Sequence, residues 1–219
     1  MSTLVMTVDD EDEVVQLIRL ILEAEGYDVI TASSGKECLE KLERHKPDLI
    51  LLDIMMPGMD GWETLRQIRK DERLKDVPVA MLTAVPLTTE TLRREEIEGL
   101  VDYIVKPFTR ESLLKKVEEL LKSINETRAK KEEIKKVLGE NAAEEYERLV
   151  KARNLHKSLI NTLKQLHSSS PSFKYVIASE ERLVKIYETR VRELERCALG
   201  GGGTRLGAYA ACGEVKKWS

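Results

Sequence analysis

The chain has 219 residues, of which 42% are hydrophobic and 34% are charged, and its formal net charge is −3. This length fits one ordinary domain plus a smaller one, with enough apolar residues for a core. The apolar runs are far shorter than the ~20 residues that span a bilayer, and a strand follows the N-terminus almost at once. We therefore expect no membrane span and no signal peptide. Cys38, Cys197 and Cys212 form neither a metal-binding spacing nor an even disulfide set, which fits a reducing cytoplasm.

The first half of the chain alternates short apolar runs with amphipathic stretches. Helical spacing of apolar residues occurs near 12–24, 34–44, 60–71, 88–97 and 109–122. Strand-like runs occur at 4–8, 48–52, 79–82 and 101–105. This alternation predicts an α/β fold with a doubly wound sheet of five parallel strands, right-handed crossovers and the flavodoxin-like strand order 2-1-3-4-5.

Each of the four strand-like runs is followed by a side chain that can do chemistry. In chain order these are Asp9 with Asp10, then Asp53, Thr83 and Lys106. Ligands of an open parallel sheet bind beyond the carboxyl ends of its strands, so neighbouring strands would bring these side chains into one crevice. Three adjacent carboxylates repel each other unless a cation neutralises them, and an all-oxygen set suits Mg²⁺.

The sequence around these residues resembles the receiver domain of two-component response regulators. The matching strings are VDDE at 8–11, DIMMPGMDG at 53–61, LTA at 82–84 and KPF at 106–108. An acidic residue after a single strand is more often a turn or a helix cap. The long string with the other three in register makes the resemblance specific, and it covers roughly residues 1–122, the predicted first domain.

The resemblance implies a phosphoacceptor and a Mg²⁺ site. Asp53 would accept a phosphoryl group from a phosphohistidine on a sensor histidine kinase. Asp10 would bind Mg²⁺ directly and Asp9 mainly through water, while Asp53 and the backbone carbonyl of Met55 would complete the protein ligands. The implied catalysis is limited to the chain's own phosphorylation and dephosphorylation, so we do not expect an enzyme in any other sense.

The resemblance also implies roles for the residues around the phosphoryl group. Lys106 would pair with the phosphoryl oxygens, and the Thr83 hydroxyl would bond to the group once it is in place. Tyr103 occupies the switch aromatic position and would turn inward as Thr83 moves. The Lys106–Pro107 peptide bond is often cis in this family, which is the expectation here.

The sequence departs from the family pattern at several positions. Leu100 stands where the family commonly has a small residue, so we expect repacking between the fourth helix and the fifth strand. Met55 and Val85 lie two residues beyond Asp53 and Thr83, at positions that often tune hydrolysis of the acyl phosphate. Neither side chain can orient a water molecule, so we predict slow self-dephosphorylation.

Residues 123–199 are predicted to form a second, helical region. The last receiver helix would run on beyond the domain to Gly139, and Asn141 would cap the next helix. The string SSSPS at 168–172 then breaks the chain before a third helix. The apolar stripes of the second and third helices comprise Leu149, Ala152, Leu159, Leu163 and Leu166, then Ile177, Val184, Tyr187, Val191, Leu194 and Ala198.

These stripes must be buried, and two arrangements are open. One is an intramolecular three-helix bundle, and the other is a homodimer with a four-helix, six-helix or coiled-coil core. Glu180 interrupts the stripe of the third helix, and His156 lies on the stripe of the second. A phosphorelay role for His156 is disfavoured because Lys157 follows it where an acidic residue is usual.

Charge is distributed unevenly along the chain. Residues 1–109 carry 13 basic and 23 acidic residues, whereas residues 110–219 carry 23 basic and 16 acidic residues. The basic half is interpreted chiefly as a solvated helix surface, because its Lys and Arg interleave with Glu. A nucleic-acid-binding transcriptional or antitermination regulator remains an alternative, as does a phosphorelay shuttle. The tail at 200–219 begins with four glycines and is predicted to be flexible.

Overall fold

The computed structural model describes residues 2–84, 100–167 and 171–199, except for the side chains of 165–167 and 171–172. The chain divides into two compact units, Met1–Lys122 and Ser123–Ser219. The helix predicted near 88–97, Val85 and the tail at 200–219 lie outside the described residues. We refer to the two units as the first unit and the helical unit.

The first unit contains a parallel sheet. Its strands are β1 (Leu4–Val8), β2 (Asp28–Ala32), β3 (Leu49–Asp53), β4 (Val79–Thr83) and β5 (Asp102–Val105). They pair in the order β2-β1-β3-β4-β5, which confirms the predicted flavodoxin-like sheet. Every residue of β3 and β4 is buried, as expected for strands covered on both faces, and this explains their continuous apolar sequence.

The crossover helices that the structure describes are α1 (Asp12–Glu23), α2 (Gly35–Leu42) and α3 (Gly61–Lys70). Side-chain caps fix where two of them begin. The Ser34 hydroxyl accepts a hydrogen bond from the backbone N–H of Glu37, and the Asp60 carboxylate accepts one from the N–H of Glu63 at 2.7 Å. Because α3 starts directly after Asp60, the loop between Asp53 and this helix is short.

The other helices in the described ranges are α4 (Arg110–Leu138), α5 (Glu140–His167) and α6 (Pro171–Leu199). The helix predicted at 109–122 therefore runs on to Gly139, as expected. The prediction that Asn141 caps the next helix was wrong, because α5 already begins at Glu140. Gly139 has a φ of +94° and joins the two helices alone: its N–H bonds to the Lys135 carbonyl, and its carbonyl accepts from Ala143.

The helical unit has its own apolar core, formed by the end of α4 together with α5 and α6. Its buried residues are Ile134, Leu138, Ala142, Ala143, Tyr146, Val150, Val191 and Leu194. The apolar stripes thus meet within one chain, as in the predicted three-helix packing, while the homodimer stays a prediction. None of the helices that the structure describes combines the length and apolarity needed to cross a bilayer.

Candidate functional site

Four strand ends bring the predicted chemical groups together at the carboxyl edge of the sheet. Asp9 follows β1, Asp53 ends β3, Thr83 ends β4 and Lys106 follows β5. The Lys106 Nζ lies 2.6 Å from Asp9 Oδ2 and 2.7 Å from Asp53 Oδ1. Asp9, Asp53 and Thr83 are all buried. The crevice inferred from the strand ends therefore forms, with one amine between two buried carboxylates.

A third carboxylate, that of Asp10, completes an acidic cluster. Asp9, Asp10 and Asp53 each offer an oxygen atom, and these oxygens lie within 4.8 Å of one another. Three carboxylates and one ammonium group leave a charge of −2, which a single divalent cation would cancel. Carboxylate oxygens with one exposed member fit Mg²⁺, which binds through few protein ligands and keeps several waters.

Electrostatics within the crevice follow from burial and from the ion pairs. Burial raises the pKa of Asp9 above its ordinary value, although hydrogen bonds from Lys106 and from the backbone N–H of Glu11 act in the opposite direction. Burial by itself would lower the pKa of Lys106, but the hydrogen bonds to Asp53 and Asp9 raise it overall. Lys106 is therefore a cation throughout the neutral pH range.

The backbone around Asp53 holds its carboxylate in place. Asp53 Oδ2 accepts a hydrogen bond of 2.6 Å from the backbone N–H of Met55, while Lys106 engages Oδ1. The backbone of the following residue, Ile54, is held by two hydrogen bonds. Its N–H donates to the Leu82 carbonyl, and its carbonyl accepts from the N–H of Gly61. Both carboxylate oxygens of Asp53 are thus oriented, one by an amide and one by an ammonium group.

Sequence reasoning missed the role of Gly61, the last residue of the DIMMPGMDG string. A Cβ at this position would lie 2.2 Å from the Asp53 carbonyl oxygen and 2.9 Å from the Ile54 Cα. These are backbone atoms, so the loop could not approach Asp53 this closely with any other residue. The signal was available, because Gly61 ends the long string and directly follows the cap of α3.

Glu11 is a second residue whose place sequence reasoning did not predict. Its Oε1 lies 3.9 Å from the Lys106 Nζ, and its backbone N–H donates to Asp9 Oδ1 at 3.0 Å. The side chain is exposed, so its contribution is a screened negative charge at the edge of the crevice. Its position in the VDDE string could have suggested this.

The remaining predicted residues lie around the crevice. Tyr103 is buried in β5, and its role as a switch residue stays a prediction. Leu100 is also buried and forms part of the core. The Met55 side chain is 70% exposed, and the Lys106–Pro107 peptide bond is cis, as expected.

Comparison with protein families identifies the first unit. Residues 5–118 match the response regulator receiver domain family, and the chain therefore belongs to that family. A similar curated relative is the alkaline phosphatase synthesis transcriptional regulatory protein PhoP of Bacillus subtilis, 41% identical over 56% of this chain and 50% of its own length. The probable transcriptional regulator ycf27 of Guillardia theta is 39% identical over 55% of this chain and 46% of its length. The chain spans about half the length of these relatives.

Solved structures agree with this assignment. The chemotaxis protein CheY4 of Vibrio cholerae is 32% identical, covers 55% of this chain and 99% of its own, and has a TM-score of 0.52. A CheY-like receiver domain protein from Methanospirillum hungatei is 37% identical, covers 57% of this chain and 98% of its own, and has a TM-score of 0.50. The similarity corresponds to a complete receiver domain and about half of this chain.

Proposed function

We propose that this chain is a two-component response regulator that accepts a phosphoryl group on Asp53 from the phosphohistidine of a sensor histidine kinase. The observation that supports this most directly is the pair of oriented oxygens on Asp53, one held by Lys106 and the other by the Met55 amide. The adjacent acidic cluster suits a divalent cation. We also propose that the protein is cytoplasmic and has no enzymatic activity beyond its own phosphorylation and dephosphorylation.

The proposed reaction uses few protein groups. An oxygen of the Asp53 carboxylate attacks phosphorus, the P–N bond of the phosphohistidine breaks, and its electron pair returns to the imidazole. Lys106 then moves from the bare carboxylate to the phosphoryl oxygens, and the Thr83 hydroxyl donates to one of them. Mg²⁺ held by Asp9, Asp10, Asp53 and the Met55 carbonyl would supply positive charge to the same oxygens.

A direct test uses the full chain with Mg²⁺ and acetyl phosphate as donor, with uptake measured by intact mass. We expect a hydroxylamine-labile acyl phosphate on the natural chain and none on Asp53→Asn. Asp28→Asn is the matched control, because Asp28 is an exposed residue at the amino end of β2, away from the strand ends that form the site. Full formation of the acyl phosphate on the Asp53→Asn chain would refute Asp53 as the acceptor.

The proposal includes slow dephosphorylation of phospho-Asp53. The exposed Met55 side chain carries no group that could direct a water molecule toward the acyl phosphate. We expect phospho-Asp53 to persist well beyond seconds in the isolated chain. Replacing Met55 with Asn should shorten the lifetime, and a natural lifetime of only seconds would contradict the expectation.

The proposed output is a phosphorylation-dependent change in how the helices of residues 123–199 pair with a second copy or with another protein. Several large apolar side chains of α6 are exposed and available for such pairing, namely Tyr175, Ile186 and Leu199. Light scattering with Mg²⁺ and beryllofluoride, a phosphoryl mimic, tests the homodimer. A rise from monomer to dimer mass is expected, and an unchanged mass would exclude phosphorylation-driven self-assembly.

A nucleic-acid-binding output is the second candidate. The relatives PhoP and ycf27 are described as transcriptional regulators, although this chain matches only about half of their length. The excess of basic residues at 110–219 also favours contact with phosphates. A mobility shift that weakens steeply with salt would support this candidate over helix pairing, since each phosphate contact releases counterions.

A further inference from the structure

The helical unit contains a histidine–carboxylate pair that the receiver chemistry does not use. Glu180 of α6 and His156 of α5 are the polar residues that interrupt the two apolar stripes, and the structure brings them together. The His156 Nδ1 forms a hydrogen bond with Glu180 Oε2. The pair is partly accessible, because the His156 side chain is 17% exposed and that of Glu180 is 10% exposed.

The pair fixes which ring nitrogen carries the proton. An ionised carboxylate can only accept, so the hydrogen bond requires a proton on Nδ1 and leaves the lone pair of a neutral imidazole on Nε2. Within the described ranges, His156 makes this hydrogen bond and none through Nε2. The Tyr187 ring, tilted by 48° with its centroid at 5.5 Å, packs beside the imidazole and restricts its orientation.

His156 has an acidic partner although none follows it in the sequence. Lys157 stands at the position where an acidic residue is usual. The structure supplies the carboxylate from another helix instead, through Glu180. Lys157 itself pairs with Glu188 of α6, with an Nζ to Oε1 distance of 2.6 Å.

Another buried ion pair of the same unit, Arg190 with Glu145, is arranged differently. Arg190 donates from Nε to Glu145 and from another guanidinium nitrogen to Glu193, so two of its nitrogens are hydrogen-bonded to carboxylates. His156 instead bonds to Glu180 through Nδ1 and makes no hydrogen bond to the described residues through Nε2. A carboxylate that orients an imidazole and stabilises the positive charge that develops on it is a general device for activating histidine.

We propose that His156 is a phosphoryl-accepting histidine, oriented by Glu180, that exchanges a phosphoryl group with an aspartyl phosphate. The Nε2 lone pair attacks phosphorus, an Nε2–P bond forms, and the P–O bond to the aspartyl group breaks with its electron pair leaving as carboxylate. The Nδ1 proton shifts toward Glu180 as the ring becomes positive. The donor, an aspartyl phosphate such as phospho-Asp53 of another copy, rests on the proposed function.

A positive group for the transferred phosphoryl oxygens is available on the same helix. Arg153 precedes His156 by three residues, and this spacing places the two on one face of α5. Its guanidinium hydrogen-bonds to the Asn154 side chain at 3.0 Å and 3.1 Å, which holds it near the helix surface. An arginine suits phosphoryl oxygens because it can donate two parallel hydrogen bonds.

The first arm of the test does not depend on Asp53. The full Asp53→Asn chain is treated with phosphoramidate, and alkali-stable phosphohistidine is located by mass spectrometry under alkaline conditions. His45, an exposed histidine of the first unit, serves as the internal reference. We expect His156 to react about tenfold faster than His45 despite its lower exposure, since positioning accelerates the attack. A rate no higher than that of His45 overturns the proposal.

Variants then test the part played by Glu180. Glu180→Gln should reduce the reaction of His156 about tenfold and leave His45 unchanged, whereas Glu188→Gln should change neither. Glu180→Asp keeps the charge and should retain part of the rate, which separates loss of the carboxylate from loss of helix packing. An unchanged His156 rate in Glu180→Gln would contradict the orienting role.

The second arm supplies the aspartyl phosphate. A His156→Gln chain phosphorylated on Asp53 is mixed with the Asp53→Asn chain, and transfer to His156 is followed in time. If the donor chain takes up no phosphoryl group, the proposed function has failed while the phosphoramidate result still decides the reactivity of His156. If the donor is phosphorylated and His156 receives nothing, aspartyl phosphate is not its donor and the proposal is wrong.

Discussion

The buried carboxylates of the acidic cluster in the first unit and those of the helical unit have different surroundings. In the first unit, the buried Asp9 and Asp53 share one amine, that of Lys106, and Asp10 adds a third negative charge beside them. In the helical unit, each described buried carboxylate has a basic partner that no other buried carboxylate shares, Arg190 for Glu145 and His156 for Glu180. The surplus negative charge of the cluster needs an external cation or a ligand, whereas the Arg190–Glu145 ion pair carries no net charge.

Gly61 of the first unit and Gly139 of the helical unit are required for different reasons. Gly61 allows backbone to approach Asp53 where no Cβ would fit. A Cβ added at Gly139 would meet no other atom within 4 Å, so this glycine is needed only for its φ of +94°, which turns the chain between α4 and α5. Gly61 thus permits the backbone geometry of the site, and Gly139 permits the turn between two helices.

Gly61→Ala is the change with the largest expected effect, because the added Cβ collides with backbone that cannot move away. We expect a loss of about 3 kcal/mol or more in the free energy of unfolding of the first unit, with loss of phosphorylation. Gly139→Ala, the control, should cost about 1–2 kcal/mol through its backbone conformation alone. Urea unfolding followed by circular dichroism measures both. Equal costs would erase the distinction between the two glycines.

Arg190→Met tests the matched pairs of the helical unit, because it leaves the buried Glu145 carboxylate without its cation. We expect a loss of about 3 kcal/mol in the free energy of unfolding of that unit, not restored by Mg²⁺. The double variant Glu145→Leu with Arg190→Met should recover most of this loss. Arg192→Met, an exposed change on the same helix, should stay within about 0.5 kcal/mol. Recovery of the Arg190→Met chain by Mg²⁺ would contradict the comparison.

Mg²⁺ should stabilise the first unit, since its acidic cluster carries surplus negative charge. At a concentration ten times the dissociation constant we expect a gain of about 1.4 kcal/mol in its free energy of unfolding. Asp10→Asn should abolish the gain while leaving the unit at least as stable without Mg²⁺, because one repelling charge is gone. Thermal melts with and without Mg²⁺ measure this, and an undiminished gain in Asp10→Asn would exclude Asp10 as a ligand.

The smallest expected effect on stability is that of replacing Glu37, a carboxylate whose charge is stabilised by two neighbouring residues. Hydrogen bonds from Lys41 and from Ser33 lower the pKa of Glu37 from 4.5 to about 2. A lowered pKa contributes stability that is present above pH 4.5 and is lost as pH falls through about 2. Glu37→Gln should therefore lower the melting temperature slightly at neutral pH, with the difference shrinking between these two values. Glu40→Gln, which affects only a 4.0 Å surface pair, should show no such trend.

Most of the receiver fold was predictable because its signals are local. Apolar runs of five residues, amphipathic helices and caps such as Ser34 and Asp60 each depend on neighbours a few residues away. The prediction failed at Asn141, where a good capping residue was outweighed by one glycine. A glycine that adopts positive φ can end one helix and begin the next, and the sequence does not show which residue of such a junction turns the chain.

The sequence by itself determined the parallel sheet, the placement of Asp9, Asp53, Thr83 and Lys106 at strand ends, and the helical character of residues 123–167 and 171–199. Strand period and helix period are properties of adjacent residues, so they can be read without a fold. Only the tertiary structure decided which atoms meet. The Lys106 Nζ contacts one oxygen each of Asp9 and Asp53, the Gly61 backbone approaches the Asp53 backbone, and the His156 ring bonds to the Glu180 carboxylate. These contacts join residues from 8 to 97 positions apart, and their geometry depends on how whole elements pack.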